Sequence, residues 1–224
     1  MAEIGLYEAM RTLRAVRRLK TDPIPEDVLH RILEAATWAP TGSNSQPWRI
    51  IVVKDDERKG QLRGLYKKIW DIFVKQYSGG LAELEDNIRK KYERMIRAGD
   101  HLADHFHESP AILVFCFNPM EIAITDEELD RISVVGGASI YPAVENLLLA
   151  CRAEGLGCTL TTLLCTYEAE VRSILSIPEP WGTAAAIPIG YPALGGHGSI
   201  SRRPVKELVF TNAWGEPFEY EISK

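Results

Sequence analysis

Two stretches of this 224-residue chain concentrate side chains able to hold an anion or a polar small molecule. The first, MRTLRAVRRLK, carries Arg11, Arg14, Arg17 and Arg18. A guanidinium offers a planar fork of donors that matches phosphate, so the segment reads as an anion site. The plainer reading is a solvated helix face followed by an N-terminal stem. Arg202-Arg203, just before Pro204, could converge on the same anion. The second stretch, APTGSNSQPW, sets Thr41, Gly42, Ser43, Asn44, Ser45 and Gln46 between Pro40 and Pro47, ahead of Trp48. A bare connection needs only about two or three residues of turn chemistry. This one supplies short donors and acceptors, a glycine that lets backbone approach a ligand, and an aromatic anchor.

Other chemistries find less support. No GxGxxG follows a strand, no GxxxxGK[ST] occurs, and the GGHG at 195–198 precedes no helical pattern. A Rossmann or P-loop nucleotide site is therefore not expected, and any bound nucleotide phosphate must rest on arginines and loop amides. In HLADHFH, His101 and His105 stand one helical turn apart, which is metal-ligand spacing, with His107 close by. The alternative is a solvated helix end, where imidazole suits the negative pole of the dipole. No glutamate makes an HExxH and no matching ligand set occurs elsewhere, so no metal is expected. No GxSxG marks a serine nucleophile. The run Thr159-Leu160-Thr161-Thr162-Leu163 reads as ordinary β-branched strand.

Elements that position these groups are legible from spacing. Pro25, Glu26 and Asp27 start a helix, and Val28, Leu29, Ile32, Leu33 and Ala36 continue it to Ala39, before Pro40. IIVV at 50–53 and AILVFCF at 111–117 are short apolar runs suited to strands covered on both faces. A helical period runs from Asp55 to Tyr77, and Gly79-Gly80 breaks it. A charged helix over Leu81–His107 carries the sparse stripe Leu84, Ile88, Tyr92, Met95, Ile96 and Leu102. A helix over about Ser139–Ala153 is expected to stop at Gly155 and Gly157. Then follow a strand CTLTTLL, a helix EAEVRSIL, a strand TAAAIPIGYP and a glycine-rich loop. The tail from Lys206 to Lys224, with a strand-like ELVF, reads as an arm across another surface. Without repeats or linkers, residues 1–224 form a single domain.

Hydrophobic residues make up 46% of the chain, enough for one α/β or α+β core. The formal net charge of −5 gives no general attraction for nucleic acid or an anionic membrane. No apolar run reaches the roughly 18 residues of a membrane span. The N-terminal segment lacks the apolar stretch of a signal peptide, so a cytoplasmic location is expected. Cys116, Cys151, Cys158 and Cys165 form no CxxC pair and read as reduced, buried thiols.

Four segments, taken in order, resemble the FMN-binding nitroreductase family: RAVRRL (14–19), PTGSNSQPW (40–48), IYPAVENLLLACRAEGLG leading into TLTTL, and IPIGYP followed by SRRP. The loop is similar to the family's P-S-x-x-N-x-Q-P-W. The resemblance implies an α+β, three-layer α/β/α fold around a mostly antiparallel sheet, and an intertwined homodimer with FMN at its interface. It implies that Arg14 and the Ala15 backbone lie along phosphate and ribityl chain, that Arg17 faces the pyrimidine edge of the isoalloxazine, and that Arg202 closes on the phosphate. Pro40, Thr41, Gly42 and Asn44 would contact the other protomer's flavin, with Gln46 buttressing the loop, and Thr161, Thr162 and Leu163 would line the ring. Departures are Ala15 for a frequent serine, Thr41 for serine, and Leu13 for a frequent arginine, whose charge would come from Arg14, Arg18 or Arg203. The helical insert 57–107 matches no family motif and would set substrate choice as a lid.

The activity so implied is an NAD(P)H-dependent, ping-pong reduction of nitroaromatics, quinones or similar electron-poor acceptors on FMN, with no side-chain general acid. Alternatives within the fold are reductive dehalogenation and oxidative breakdown of the flavin. A non-catalytic FMN carrier or sensor using helix 81–107 as a partner surface is an alternative of another class. A metal-dependent hydrolase built on HLADHFH ranks last.

Overall fold

The computed structural model describes residues 4–219. A short helix α1 (Leu6–Thr12) leads into an extended segment and α2 (Glu26–Thr37). Strand β1 (Trp48–Val53) is followed by helices α3 (Asp56–Ser78) and α4 (Asp86–His105) and strand β2 (Ala111–Phe117). Helix α5 (Tyr141–Ala153), two-residue β3 (Gly157–Cys158), α6 (Glu168–Leu175), β4 (Gly182–Gly190) and the one-turn α7 (Val205–Leu208) complete the order. The strands form one sheet, β1-β2-β4-β3, with every neighbour antiparallel.

Three layers follow from the two-residue period of the central strand. On β2, Ala111, Leu113 and Phe115 pack with Val28, Leu29 and Ile32 of α2 and Val144, Leu147 and Cys151 of α5. Ile112, Val114 and Cys116 point the other way, against Leu62, Tyr66 and Trp70 of α3, Leu102 of α4, Phe106 and Val171 of α6. Since both faces are covered, β2 tolerates no polar residue, which is why AILVFCF reads so clearly in sequence. The α/β/α architecture is thus as expected.

Several local expectations are corrected. β1 lies at the sheet edge, so Ile50, Ile51 and Val52 stay half-buried instead of fully covered. The 158–164 strand ends at Cys158. After it, Thr161 makes only an isolated bridge to Ala186, and Leu163–Tyr167 forms a 3₁₀ turn whose first amide donates to Thr161 Oγ1 at 3.3 Å. Gly155, at φ +75°, is the residue that ends α5. Gly157 is instead a strand residue, where a Cβ would stand 2.7 Å from Val16 Cγ1. ELVF is not a strand, because Val205–Leu208 turns helical directly after Pro204. The predicted helix 81–107 divides into a 3₁₀ turn, α4 and a second 3₁₀ turn at Phe106–Glu108.

Candidate functional site

The arginine segment is extended where a helix face was the plainer reading. Only Arg11 lies on α1, ion-paired with Glu8. From Arg14 onward the backbone is captured by distant partners: Val16 N–H donates to Cys158 O at 2.9 Å, Lys20 N–H to Tyr191 O at 2.7 Å, and Ala193 N–H to Arg18 O at 2.9 Å. Thr159 Oγ1 adds a bond to Val16 O at 2.9 Å. Val16 is buried while Arg14, Ala15 and Arg18 are exposed and Arg17 is half-buried.

The three arginines then take different surroundings. Arg14 Nε donates to the carbonyl of Gly196 at 2.7 Å, inside the glycine-rich loop. Arg18 Nη1 lies 3.1 Å from Nδ1 of His101 on α4. Arg17 lies where its charge acts on Tyr66, whose phenol is raised by burial and lowered in part by a hydrogen bond with the Thr161 side chain and by Arg17. Among the described residues none of the three forms an ion pair with a carboxylate. Arg31, by contrast, is held by Glu154 and Asp27, and Arg131 by Asp126. Uncompensated cations clustered on one segment of a chain of net charge −5 attract an anionic ligand.

The loop 40–48 is built under strain. Ser43, Asn44 and Gln46 sit at φ +53°, +56° and +49°, a region that costs a non-glycine residue roughly 1–2 kcal/mol each. Compensating bonds hold it: Gly42 N–H to Ser139 Oγ at 2.9 Å, Gln46 N–H to Thr41 Oγ1 at 3.1 Å, and Gln46 Nε2 to Asn44 O at 3.3 Å. The buried Trp48 pins its C-terminal end beside Phe115. A cavity of about 420 Å³ opens against Pro40, Thr41, Gly42 and Ser139. A larger one of about 730 Å³ is lined by Phe117, Ile122, Ile140, Tyr141, Thr162 and Cys165.

Within one chain the predicted site residues fall into two groups. Arg14, Ala15, Arg17, Arg18 and Thr161 share the β3–β4 end of the sheet. Pro40, Thr41, Gly42, Asn44 and Gln46 share the strained loop, and no hydrogen bond or cavity wall joins the two groups among the described residues. Thr161 turns its side chain inward, Thr162 points outward into the larger cavity, and Leu163 is half-buried. Among the described residues Arg202 donates only to the neighbouring Ser201 carbonyl and, like Arg203, is exposed. The rings of His101 and His105 lie tilted to each other with centroids 4.3 Å apart but face Arg18 and Glu108 respectively. Sequence reasoning passed over Tyr66, Ser139 and His197. A helical period cannot say which of its apolar positions meets a polar neighbour, and a serine or histidine in a loop carries no local signal.

With this geometry in hand, the comparisons are specific: the chain belongs to the nitroreductase family, whose model matches residues 10–191. It is 32% identical over 200 residues to an NADH dehydrogenase of Thermus thermophilus, covering 88% of this chain and 90% of that one. It is 31% identical over 197 residues to the 5,6-dimethylbenzimidazole synthase of Rhodospirillum rubrum, covering 84% and 82%. Its fold matches a crystal structure of oxidized iodotyrosine deiodinase bound to FMN and 3-iodo-L-tyrosine, with TM-score 0.71 and 24% identity over 94% of this chain and 100% of that one. No helix among the described residues is long and apolar enough to cross a membrane.

Proposed function

We propose that this chain is one half of a homodimeric FMN-dependent oxidoreductase that uses NAD(P)H to reduce nitroaromatic, quinone or similar electron-poor acceptors. The observation that carries the reading is the set of arginines, Arg14 and Arg17 above all, without carboxylate partners at the sheet end. The residues present fit a flavin phosphate. Among the described residues Arg14 spends only Nε on a hydrogen bond, so both Nη groups remain for an anion, and the positions where Gly195 and Gly198 would carry a Cβ lie 3.7 and 3.8 Å from its guanidinium. A Cβ at either position would sit in ordinary van der Waals contact with the cation.

Bound FMN would supply the hydride chemistry itself. Arg14, with the Ala15 backbone, holds phosphate and ribityl chain; Arg202 and Arg203 add charge from the C-terminal side. Arg18, turned to His101, is the weakest replacement for the arginine absent at Leu13. Arg17 sets a cation against the pyrimidine edge, stabilising negative charge there through a preorganised field. Thr162 and Leu163 border the ring. The strained loop, at Pro40, Thr41, Gly42 and Asn44 with Gln46 behind them, acts in trans on the second protomer's flavin, which accounts for its separation from the arginines within one chain.

A second copy also answers for apolar surface. Leu6, Tyr7 and Trp38 are 60, 83 and 72% exposed, and Trp214, in a 201–219 arm whose every residue is exposed, is 92% exposed. We place this arm across the second protomer. The helices of 57–107 form the substrate-side wall, with the 40%-exposed Ile88 on its outer half.

The visible spectrum of the purified protein, recorded before and after NADPH, tests the reading. A yellow protein, bleached by NADPH and recoloured by a quinone or nitroaromatic, supports it; failure to take up FMN overturns it. A second reading rests on the two relatives of other activity: turnover of 3-iodotyrosine, or formation of 5,6-dimethylbenzimidazole with loss of bound FMN, would replace the acceptor-reductase assignment.

A further inference from the structure

Among the described residues the guanidinium of Arg14 is oriented by a single hydrogen-bond acceptor, the carbonyl of Gly196. A carbonyl can aim a cation only if it is itself held. Gly195 and Gly196 both occupy left-handed backbone, at φ +71° and +66°, and glycines there are the most costly residues to order. The loop is fixed at its two ends by Ala193 N–H to Arg18 O at 2.9 Å and Gly198 N–H to Thr12 O at 3.0 Å. Between these ends, among the described residues, one side chain of the loop itself reaches the body of the protein. The ring of His197 places Nε2 2.7 Å from the carbonyl of Leu156.

That anchor is rigid. Leu156 is wholly buried in the core beneath α2 and α5, and its amide closes the end of α5 on Cys151 O at 2.8 Å. Because a carbonyl can only accept, Nε2 must carry the proton, which leaves Nδ1 as a lone pair, buried and without a partner. Burial first, opposed by the Leu156 hydrogen bond and aided by the charges of Arg152 and Arg14, holds the ring below its ordinary pKa, which favours this neutral form. An orphaned buried acceptor is a cost, and a solvated loop residue would not bear it.

We propose that His197 is a positioning residue for ligand binding: by pinning the glycine loop to Leu156 it holds the Gly196 carbonyl, and so turns the Nη edge of Arg14 toward the phosphate of the flavin. The ligand identity rests on the FMN reading above; the orientation of Arg14 does not.

Two measurements on the full chain separate these. Kd values for FMN and for riboflavin, which lacks the phosphate, come from quenching of flavin fluorescence in wild type, His197→Ala and His197→Gln. Solvent exchange of the Arg14 Nε–H comes from ¹⁵N NMR of the flavin-free proteins, the resonance being identified by its loss in Arg14→Lys. In His197→Ala the FMN Kd should rise about tenfold with riboflavin changed less than about twofold, and Arg14 Nε–H exchange should accelerate. His197→Gln, whose amide can again donate to Leu156 O, should recover most of the FMN affinity and the protection. Equal weakening of both flavins, or Arg14 exchange unaltered by His197→Ala, overturns the proposal. If wild type binds neither flavin yet Arg14 exchange still responds, the FMN reading fails and the positioning role stands.

Discussion

Arg18 Nη1 stands 3.1 Å from Nδ1 of His101, joining the extended arginine segment to helix α4 across 83 positions of sequence. A guanidinium only donates, so His101 Nδ1 accepts and the proton sits on Nε2. Burial, followed by the charges of Arg18 and His105, lowers the His101 pKa below its ordinary value. In the unfolded chain the imidazole titrates near ~6.5. As pH falls through that value the unfolded state takes up a proton that the folded state refuses, so stability is present above it and lost below. His197, lowered for the same leading reason, acts in the same direction. The melting temperature should therefore fall from pH 7 to pH 5, and His101→Gln should flatten part of that slope. A variant that melts with the wild-type pH profile would show that the contact does not matter for stability.

Arg17 is expected to act in catalysis without holding the fold, since it has no ion-pair partner among the described residues. Arg17→Ala should slow NAD(P)H-dependent reduction of the bound flavin by roughly 10- to 100-fold, the scale of losing one preorganised electrostatic group. Stopped-flow absorbance reads this directly, and thermal melts should stay near wild type. Unchanged hydride-transfer kinetics would remove Arg17 from the role.

At Gly99, two opposing magnitudes decide the sign. Replacing an interior helical glycine by alanine gains about 1 kcal/mol of helix propensity. Here, however, a Cβ would lie 2.1 Å from two ring carbons of Trp70, which is buried and donates Nε1–H to Asp100 Oδ1 at 2.8 Å. Moving the ring costs overpacking of roughly 1–3 kcal/mol and about 1 kcal/mol more if the hydrogen bond is lost. Gly99→Ala should thus lower stability in urea unfolding, despite the better helix former.

Phe106 stacks on Tyr66 with centroids 4.5 Å apart, and both belong to the core that faces α3 and α6. Truncation to alanine should cost about 3–5 kcal/mol, seen as a lower urea midpoint with an unchanged slope. Loss of the Tyr66 ring's support should also loosen Thr161, so flavin affinity should weaken in the same variant.

The C-terminal arm is expected to matter for assembly. A chain ending at Val205, which keeps Arg202 and Arg203, should shift toward monomer in light scattering and lose flavin with it, because the loop at 40–46 would then have no partner site to cover. A dimer that persists with full flavin content would place the arm elsewhere.

Much of the scaffold could be read locally. Residues 111–117 are apolar throughout because both faces of β2 are covered, and Val28, Leu29, Ile32 and Ala36 recur at helical spacing because one side of α2 meets the sheet. The loop from Pro40 to Trp48 was legible by its chemistry, although its three left-handed residues were not, since part of what braces that backbone is the bond from Gly42 N–H to Ser139, 97 positions away. Thr161 and Thr162 looked alike in sequence. The bridge to Ala186 turns one toward Tyr66 and the other outward.

Composition, apolar spacing and the order of four short segments were enough to establish the layers, the family and the residue types available to a phosphate. They were enough because each of these depends on neighbours within a few turns of chain. Whether RAVRRL is helix or extended, which of its arginines is free, and what holds Arg14 in place were decided by carbonyls at Cys158, Tyr191, Gly196 and Leu156. The first three lie more than a hundred residues from the groups that donate to them and Leu156 lies 41 from His197, and only folding brings them within hydrogen-bond reach.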